Sequence, residues 1–519
     1  MNRQLVKLNW RTISIVSVLI LAIYKYCVIL WQFNFFHFLV PPSPDLVAHL
    51  EMTDSFINGT AKLGSYPPLL HIITAFLARI MHFGSLDVFM LIAPFWIPLS
   101  IIVFYLLVSK IFDYKIAFWS TLVFALVSSN PLLNFGDAQY ADILGYNLIG
   151  PIYIIALVSL VREFKYSKLL LVFVLFCLFL SAHSLSAILL YIVSFISVAI
   201  YCFVTFNTDR RQFKNSFIVF IALCVGIIPF LALSKVFFGP IISNAISALT
   251  GGSILIKDPT SAVLEYSSIL TLLSPFLEFI GFAGMGFLLI KFSKGQARFA
   301  SLFVVVWILT VWFFSRNSLF VLPQRIFREI SLPLSIASGI LAVEMSLLFK
   351  NNWYKIGFFA IFTYLVIINE TQVFVSPFLP PDGLKNQVWF RDVDQVEYDY
   401  MVAILKKNDV ILSNFSNPIL HYKLKVAGYK VIGFSNTEMS DKSVTEREEF
   451  ISKEVKSSGA RYLFIGAMPQ GVNPEVYFTQ FVNYEKSTSL LNEYKYPERN
   501  LMRQFTDGSK LIMIEDEDE

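Results

Sequence analysis

Three short polar stretches interrupt an otherwise apolar chain, and each carries residue types that do chemistry. The first, PDLVAHLEMTDSFINGTAKLGSYPPLLH (residues 44–71), places Asp45 and His49 four residues apart. On a helix that spacing puts a carboxylate and an imidazole on one face, one turn apart. Such a carboxylate can take a proton from an attacking hydroxyl while the imidazole positions a reactant. Tyr66, which opens the Tyr-Pro-Pro step of the same stretch, and His71, three residues beyond that step, are candidates for substrate positioning. The second stretch, NFGDAQYADILG, offers Asp137 and Asp142, and the third, LPQRIFREISLPL, offers Arg325 and Arg328. A guanidinium donates two parallel charge-assisted hydrogen bonds, which suits a phosphate. His183, in LSAHSLS, completes the set.

Each residue also has a plainer explanation. Ser43-Pro44-Asp45 reads as a helix start, with Ser as cap, Pro in the first turn and an acid complementing the helix dipole. Asn58-Gly59 would end that helix. Asp142 can cap a following helix, and His183 can serve as a hydrogen bonder in helix packing. Arg325 and Arg328 can snorkel to headgroups or pair with Glu329. Against these readings, four of the six histidines (His37, His49, His71 and His82) fall within residues 34–85. That concentration favours a shared site. Asn58, Asn369 and Asn414 match the glycosylation sequon, a short pattern of little weight.

The elements that must hold these groups are membrane helices. The chain has 519 residues, 56% hydrophobic and 15% charged, with a mean hydropathy of +0.64, which excludes an ordinary soluble protein. A net charge of +4 is too small to argue for nucleic acid. All four cysteines lie in apolar segments, so neither a disulfide framework nor a zinc site is implied. About eleven segments are long enough to span: 12–33, 86–108, 116–133, 143–161, 168–183, 184–206, 215–238, 268–290, 299–315, 329–349 and 354–375. The first lacks a cleavage site and reads as a retained helix. The run 69–82 is left out, because at about 21 Å it falls short of a hydrocarbon core of roughly 30 Å. Its His71, Thr74, Ala75, Ala78, Arg79 and His82 share one face opposite Ile72, Ile73, Phe76 and Ile80, as in an interfacial helix.

With 69–82 excluded, Lys and Arg gather in alternate loops: Arg3, Lys7 and Arg11; Lys110 and Lys115; Arg162, Lys165 and Lys168; Arg210, Arg211 and Lys214; Lys291, Lys294 and Arg298; Lys350 and Lys355. The positive-inside rule makes these loops and the N-terminus cytoplasmic, so the three polar stretches face outward. After Pro377, Pro380 and Pro381 the composition turns polar. Strand-like DVILS, YKVIGF, RYLFIG and KLIMIE alternate with helical stretches at 395–407 and 444–457. The expectation is a transmembrane domain over 1–380 and an extracytoplasmic α/β domain over 381–519. The membrane would be the plasma membrane of a prokaryote or the endoplasmic reticulum of a eukaryote.

An external base and external arginines at hydrocarbon depth suit chemistry on a lipid-borne phosphate. Phosphate leaves without needing an acid, so one base and a few cations suffice for sugar transfer. The order of an Asp-x-x-x-His helix after the first span, then YPPLLH, then an acidic second external loop resembles the GT-C membrane glycosyltransferases. These include polyprenyl-phosphate-sugar mannosyl- and aminoarabinosyltransferases and oligosaccharyltransferase catalytic subunits. The resemblance implies a polytopic α-helical protein with two in-plane helices in the first external loop and an external C-terminal domain. It implies an inverting transfer of sugar from a polyprenyl-phosphate carrier to a glycan, lipid or protein acceptor. The family's catalytic acid matches Asp45, its second-loop acid Asp137 or Asp142, and its phosphate-binding arginine Arg325, with Arg328 next. The chain lacks the Trp-Trp-Asp motif of oligosaccharyltransferases, which argues against transfer of whole oligosaccharides to Asn. Its second-loop acids do not form Asp-x-Asp, which counts against a bound divalent metal, so no cofactor is dictated; a divalent cation is the one candidate. A lipid-carrier flippase would instead place charges at mid-membrane in broken helices within inverted repeats. A non-enzymatic assembly protein would have no reason to gather Asp45, His49 and His71.

Overall fold

The computed structural model describes residues 10–35, 45–61, 66–128, 130, 135, 139–228, 274–295, 298–316, 323–375, 392–413, 418–433, 457–465, 501–505 and 510–514. The described residues group into two compact units: those between 31 and 51 together with those from 392 onward, and the remainder.

The larger unit is helical. It comprises α1 (Trp10–Phe35) as far as Leu30, the second half of α2 (Asp45–Ile57), α3 (Leu69–Met81) and α4 (Ser85–Ile111), which tightens to a 3-10 turn around Pro94. Next come α5 (Tyr114–Leu126), α6 (Tyr140–Arg162), α7 (Tyr166–Ala182), α8 (Ser184–Thr205), α9 (Arg210–Ile228), α10 (Pro275–Ser293) and α11 (Arg298–Ser315). The short α12 (Pro323–Arg328), α13 (Ser331–Leu348) and α14 (Asn352–Val375) follow. Eight of the described helices are long and apolar enough to cross a membrane. Of the remaining three expected spans, 168–183 and 354–375 are helical in α7 and the 24-residue α14, and 116–133 is helical as far as Leu126, in α5. The protein is polytopic.

Local chemistry sets the helix ends. The Asp113 carboxylate accepts from the amides of Lys115 and Ile116 and caps α5, while Asp209 caps α9 through Arg211 and Gln212. The basic turns that these caps open lie together at one end of the bundle. Arg162 Nη2 donates to the Ile111 carbonyl at 3.0 Å, and Asn215 Nδ2 to the Arg162 carbonyl. In the middle, small residues let helices approach closely. A Cβ on Gly284 of α10 would lie 2.0 Å from the Ala337 carbonyl of α13, and one on Gly339 would lie 2.1 Å from Ser120 Oγ of α5.

The segment 69–82 is indeed a separate short helix. Pro67 and Pro68 precede α3, and His82 closes it in the left-handed region (φ 55°). His71, Thr74, Ala75 and Ala78 are buried, whereas Ile72, Phe76 and Ile80 are 45%, 62% and 59% exposed. An outward apolar face is what an interfacial helix presents to lipid. Arg79 reaches from α3 to the last carbonyls of α2, Phe56 and Ile57, at 3.2 and 2.5 Å. A cation there offsets the negative end of that helix.

The smaller unit is α/β. It contains α15 (Asp392–Ile404), β1 (Val410–Ser413), α16 (Pro418–Val426), β2 (Lys430–Gly433), β3 (Tyr462–Ile465), β4 (Leu501–Gln504) and β5 (Lys510–Met513). Its sheet runs β2-β1-β3-β5-β4, parallel across β2, β1 and β3, and antiparallel beyond. β1-α16-β2 is a βαβ unit, the connection that parallel neighbours require. Ile411, Leu412, Leu463, Leu511 and Ile512 are buried, as are Met401, Ile419 and Leu420 on the helices. The four expected strands are β1, β2, β3 and β5, and β4 adds a fifth edge strand. The expected helix at 395–407 is α15, whereas nearly all of 444–457 lies outside the described residues. Glu51, in the first half of α2, pairs with Lys425 of α16 at 3.0 Å.

Candidate active site

The expected residues fall in different places. Asp45 opens α2, although its side chain lies outside those described, and His49 follows one turn later and is buried. His37 and Asp137 lie outside the described residues. Arg325 is in α12, with its side chain outside those described, and Arg328 ends that helix, half-buried. His71 is fully buried, its Nδ1 3.4 Å from Thr53 Oγ1 and its ring 5.7 Å from that of Tyr66. Tyr66 and His71 therefore meet. α3, which carries His71, packs against the first turn of α6 and against α7.

At the opposite end of the helices from the basic turns, Asp142 and His183 are brought together. Asp142 lies in the first turn of α6, and His183 is the extended residue that breaks α7 from α8 (φ −153°, ψ 107°). His183 Nδ1 stands 3.2 Å from Asp142 Oδ1. A third acid joins them: Glu329, 1% exposed, in the turn between α12 and α13. The Ser186 hydroxyl connects all three, at 2.6 Å from His183 Nδ1, 3.0 Å from Asp142 Oδ1 and in direct contact with Glu329 Oε1.

The surroundings hold this cluster in place. From Ile143 to Ile149 α6 runs as a π-helix, a feature often found beside functional residues. Tyr146, within it, donates its hydroxyl hydrogen to the Glu329 carbonyl. Asn130 Nδ2 donates to the Arg328 carbonyl at 2.9 Å, and Asn147 Nδ2 to Asn130 Oδ1 at 3.0 Å. Gly145 lets the π segment lie against His183, since a Cβ there would be 2.7 Å from His183 Cβ. Two carboxylates buried around one hydroxyl draw positive charge to the spot.

No protein-family model matches the chain, and no characterised protein matches it by sequence. Solved structures do match. The Archaeoglobus fulgidus oligosaccharyltransferase AglB, in complex with an inhibitory peptide and a dolichol-phosphate, aligns with a TM-score of 0.56 at 13% identity, over 95% of this chain and 73% of that one. ArnT from Cupriavidus metallidurans, bound to undecaprenyl phosphate, aligns at 0.55 and 11% identity over 97% of both chains. The mycobacterial arabinofuranosyltransferase AftD aligns at 0.53 and 11% identity over 98% of this chain and 40% of its own. The fold is that of the GT-C membrane glycosyltransferases. Another structure of the archaeal enzyme holds Zn and sulfate.

Within the GT-C fold of this chain, the acid–imidazole cluster fits a divalent cation. Asp142, His183 and Glu329 each offer one ligand atom, all within 4.8 Å of one another. Ligand bonds of about 2.0–2.2 Å place tetrahedral donors about 3.4 Å apart, so a set spread over as much as 4.8 Å must close around an ion. Glu329 Oε2 is buried and meets no hydrogen-bond donor among the described residues, so it has capacity for a ligand.

Several residues of this site carried no signal in the sequence. Glu329 reads there only as a partner for arginine, and Ser186 and Asn130 are unremarked polar residues at span ends.

Proposed function

We propose that the protein is an inverting glycosyltransferase that moves a sugar from a polyprenyl-phosphate carrier to an acceptor on the external side of the membrane. The observation that carries this reading is the meeting of Asp142, His183 and Glu329 beside the α12 turn of Arg328, at the helix ends opposite the basic turns. The positive-inside rule makes that end external, with the N-terminus cytoplasmic and the C-terminal α/β domain extracytoplasmic. The carriers bound by AglB and ArnT support the choice of donor.

In this reading Asp45 takes the proton of the acceptor hydroxyl as its oxygen attacks the anomeric carbon. The bond from that carbon to the phosphate oxygen breaks, the configuration inverts, and polyprenyl phosphate departs with the electron pair. Arg325 and Arg328 hold the phosphate in both states, and guanidinium contacts strengthen as its charge grows. His49, Tyr66 and His71 position the reactants. Asp142, His183 and Glu329 would hold a divalent cation, which supplies positive charge next to the leaving group. The C-terminal domain contributes to acceptor binding.

The test is release of polyprenyl phosphate from lipid-linked sugars by the purified protein in nanodiscs. Asp45→Asn is expected to lose at least about a hundredfold in rate, the scale of a general base. Release by Asp45→Asn at the wild-type rate would refute the assignment of the base.

A further inference from the structure

Ser186 stands three residues after His183 in the first turn of α8, fully buried. Its Oγ touches groups from three separate segments: Asp142 of α6, His183 before α8, and Glu329 before α13. A hydroxyl has one hydrogen to give and two lone pairs to offer. When His183 Nδ1–H donates to it, its own hydrogen can go to one carboxylate oxygen. The other carboxylate then faces a lone pair. Two acids and a hydroxyl in that arrangement are closed by added positive charge, and the buried Oε2 of Glu329 lies on the same residue.

We infer that Ser186 is a positioning residue that sets the spacing of Asp142, His183 and Glu329 for a divalent cation. The inference rests on the cation site proposed above. The Ser186 hydroxyl links the side chains of Asp142 and Glu329. Loss of the hydroxyl would let the two carboxyl groups move apart, and the donor atoms would no longer lie within reach of one ion. Outer partners that orient ligands in this way typically contribute 10- to 100-fold to metal affinity. Ser184 provides a matched control. It is buried two residues away, but its hydroxyl donates to the Leu180 carbonyl at 2.8 Å, within the local helical turn.

The experiment is a Mn2+ titration of the full-length protein in nanodiscs, followed by electron paramagnetic resonance, with thermal unfolding of each variant alongside. Ser186→Ala should bind Mn2+ about 10- to 100-fold more weakly than wild type, with Ser184→Ala unchanged. Ser186→Thr, which keeps the hydroxyl, should bind close to wild type. If Ser186→Ala does not fold, the contrast between Ser186→Thr and the weakly hydrogen-bonding Ser186→Cys carries the test, with Cys the weaker binder. Wild-type affinity in Ser186→Ala, or an equal loss in Ser184→Ala, overturns the inference and leaves the cation site standing. A wild-type protein that takes up no Mn2+ overturns both.

Discussion

The closest packing in the cluster concerns Gly145, and its replacement by alanine gives a quantitative expectation. The new Cβ would lie 2.7 Å from His183 Cβ, 3.1 Å from the His183 nitrogen and 3.3 Å from Phe179 Cε2. The first of these is about 0.7 Å short of the 3.4 Å at which ordinary contact begins. His183 cannot yield by a simple rotamer change, because the clash is at its Cβ and backbone. A displacement of that size would stretch its 3.2 Å contact to Asp142 out of hydrogen-bond range. Misplacement of a positioned group by about 1 Å costs on the order of a hundredfold in rate, so Gly145→Ala should lose about ten- to a hundredfold. Overpacking should also cost about 1–3 kcal/mol in stability. Gly150→Ala is the control: its Cβ would meet the flexible end of Leu190 at 3.3 Å, and the variant should keep the wild-type rate. The assay is release of polyprenyl phosphate by purified protein, with melting temperatures in parallel. A Gly145→Ala protein that works at the wild-type rate would show that His183 and its contact with Asp142 do not set the geometry of the reaction.

Three further outcomes are expected. Burial, followed by the Lys425 ammonium, holds the His421 imidazole below its ordinary 6.5, against the upward pull of the Val431 backbone and Glu51. The unfolded chain therefore binds the proton first, so this contribution to stability is present above about pH 6.5 and lost as pH falls below it; melting curves of the C-terminal domain within the whole protein should show that loss, and His421→Gln should flatten it. Arg79→Ala removes both hydrogen bonds to the end of α2, a loss of about 1 kcal/mol, and amide exchange near Phe56 and Ile57 should quicken accordingly. Gly339→Ala forces a Cβ to 2.1 Å from Ser120 Oγ and should cost about 1–3 kcal/mol or more, read as a lowered melting temperature; an unchanged value would contradict the close approach of α5 and α13.

How much of this was legible in the sequence depended on whether the signal was local. The spans show in composition, and α3 separates from them because its apolar run, 69–82, is too short to cross hydrocarbon, whereas the run that contains α5 extends over 116–133. β1, β2, β3 and β5 show as short apolar runs, whereas β4, with Arg503 and Gln504 in four residues, has no such run to recognise. Asp142 and His183 stand out as polar residues at span ends. Their partners do not. Serine is common in membrane helices, where its hydroxyl can satisfy a local carbonyl as Ser184 and Ser194 do, so nothing in the type marks Ser186 as different. Its difference is a contact with Glu329 across 143 residues, created by the packing of α8 against the turn before α13. The π-helical stretch of α6 is equally silent, because a change of hydrogen-bond register leaves composition untouched. The sequence marks where charges must lie relative to a membrane, since their burial in hydrocarbon is costly wherever it occurs. The geometry that makes those charges useful comes from uncharged residues, Ser186, Asn130, Tyr146 and Gly145, whose local preferences are weak and whose roles exist only once the helices have met.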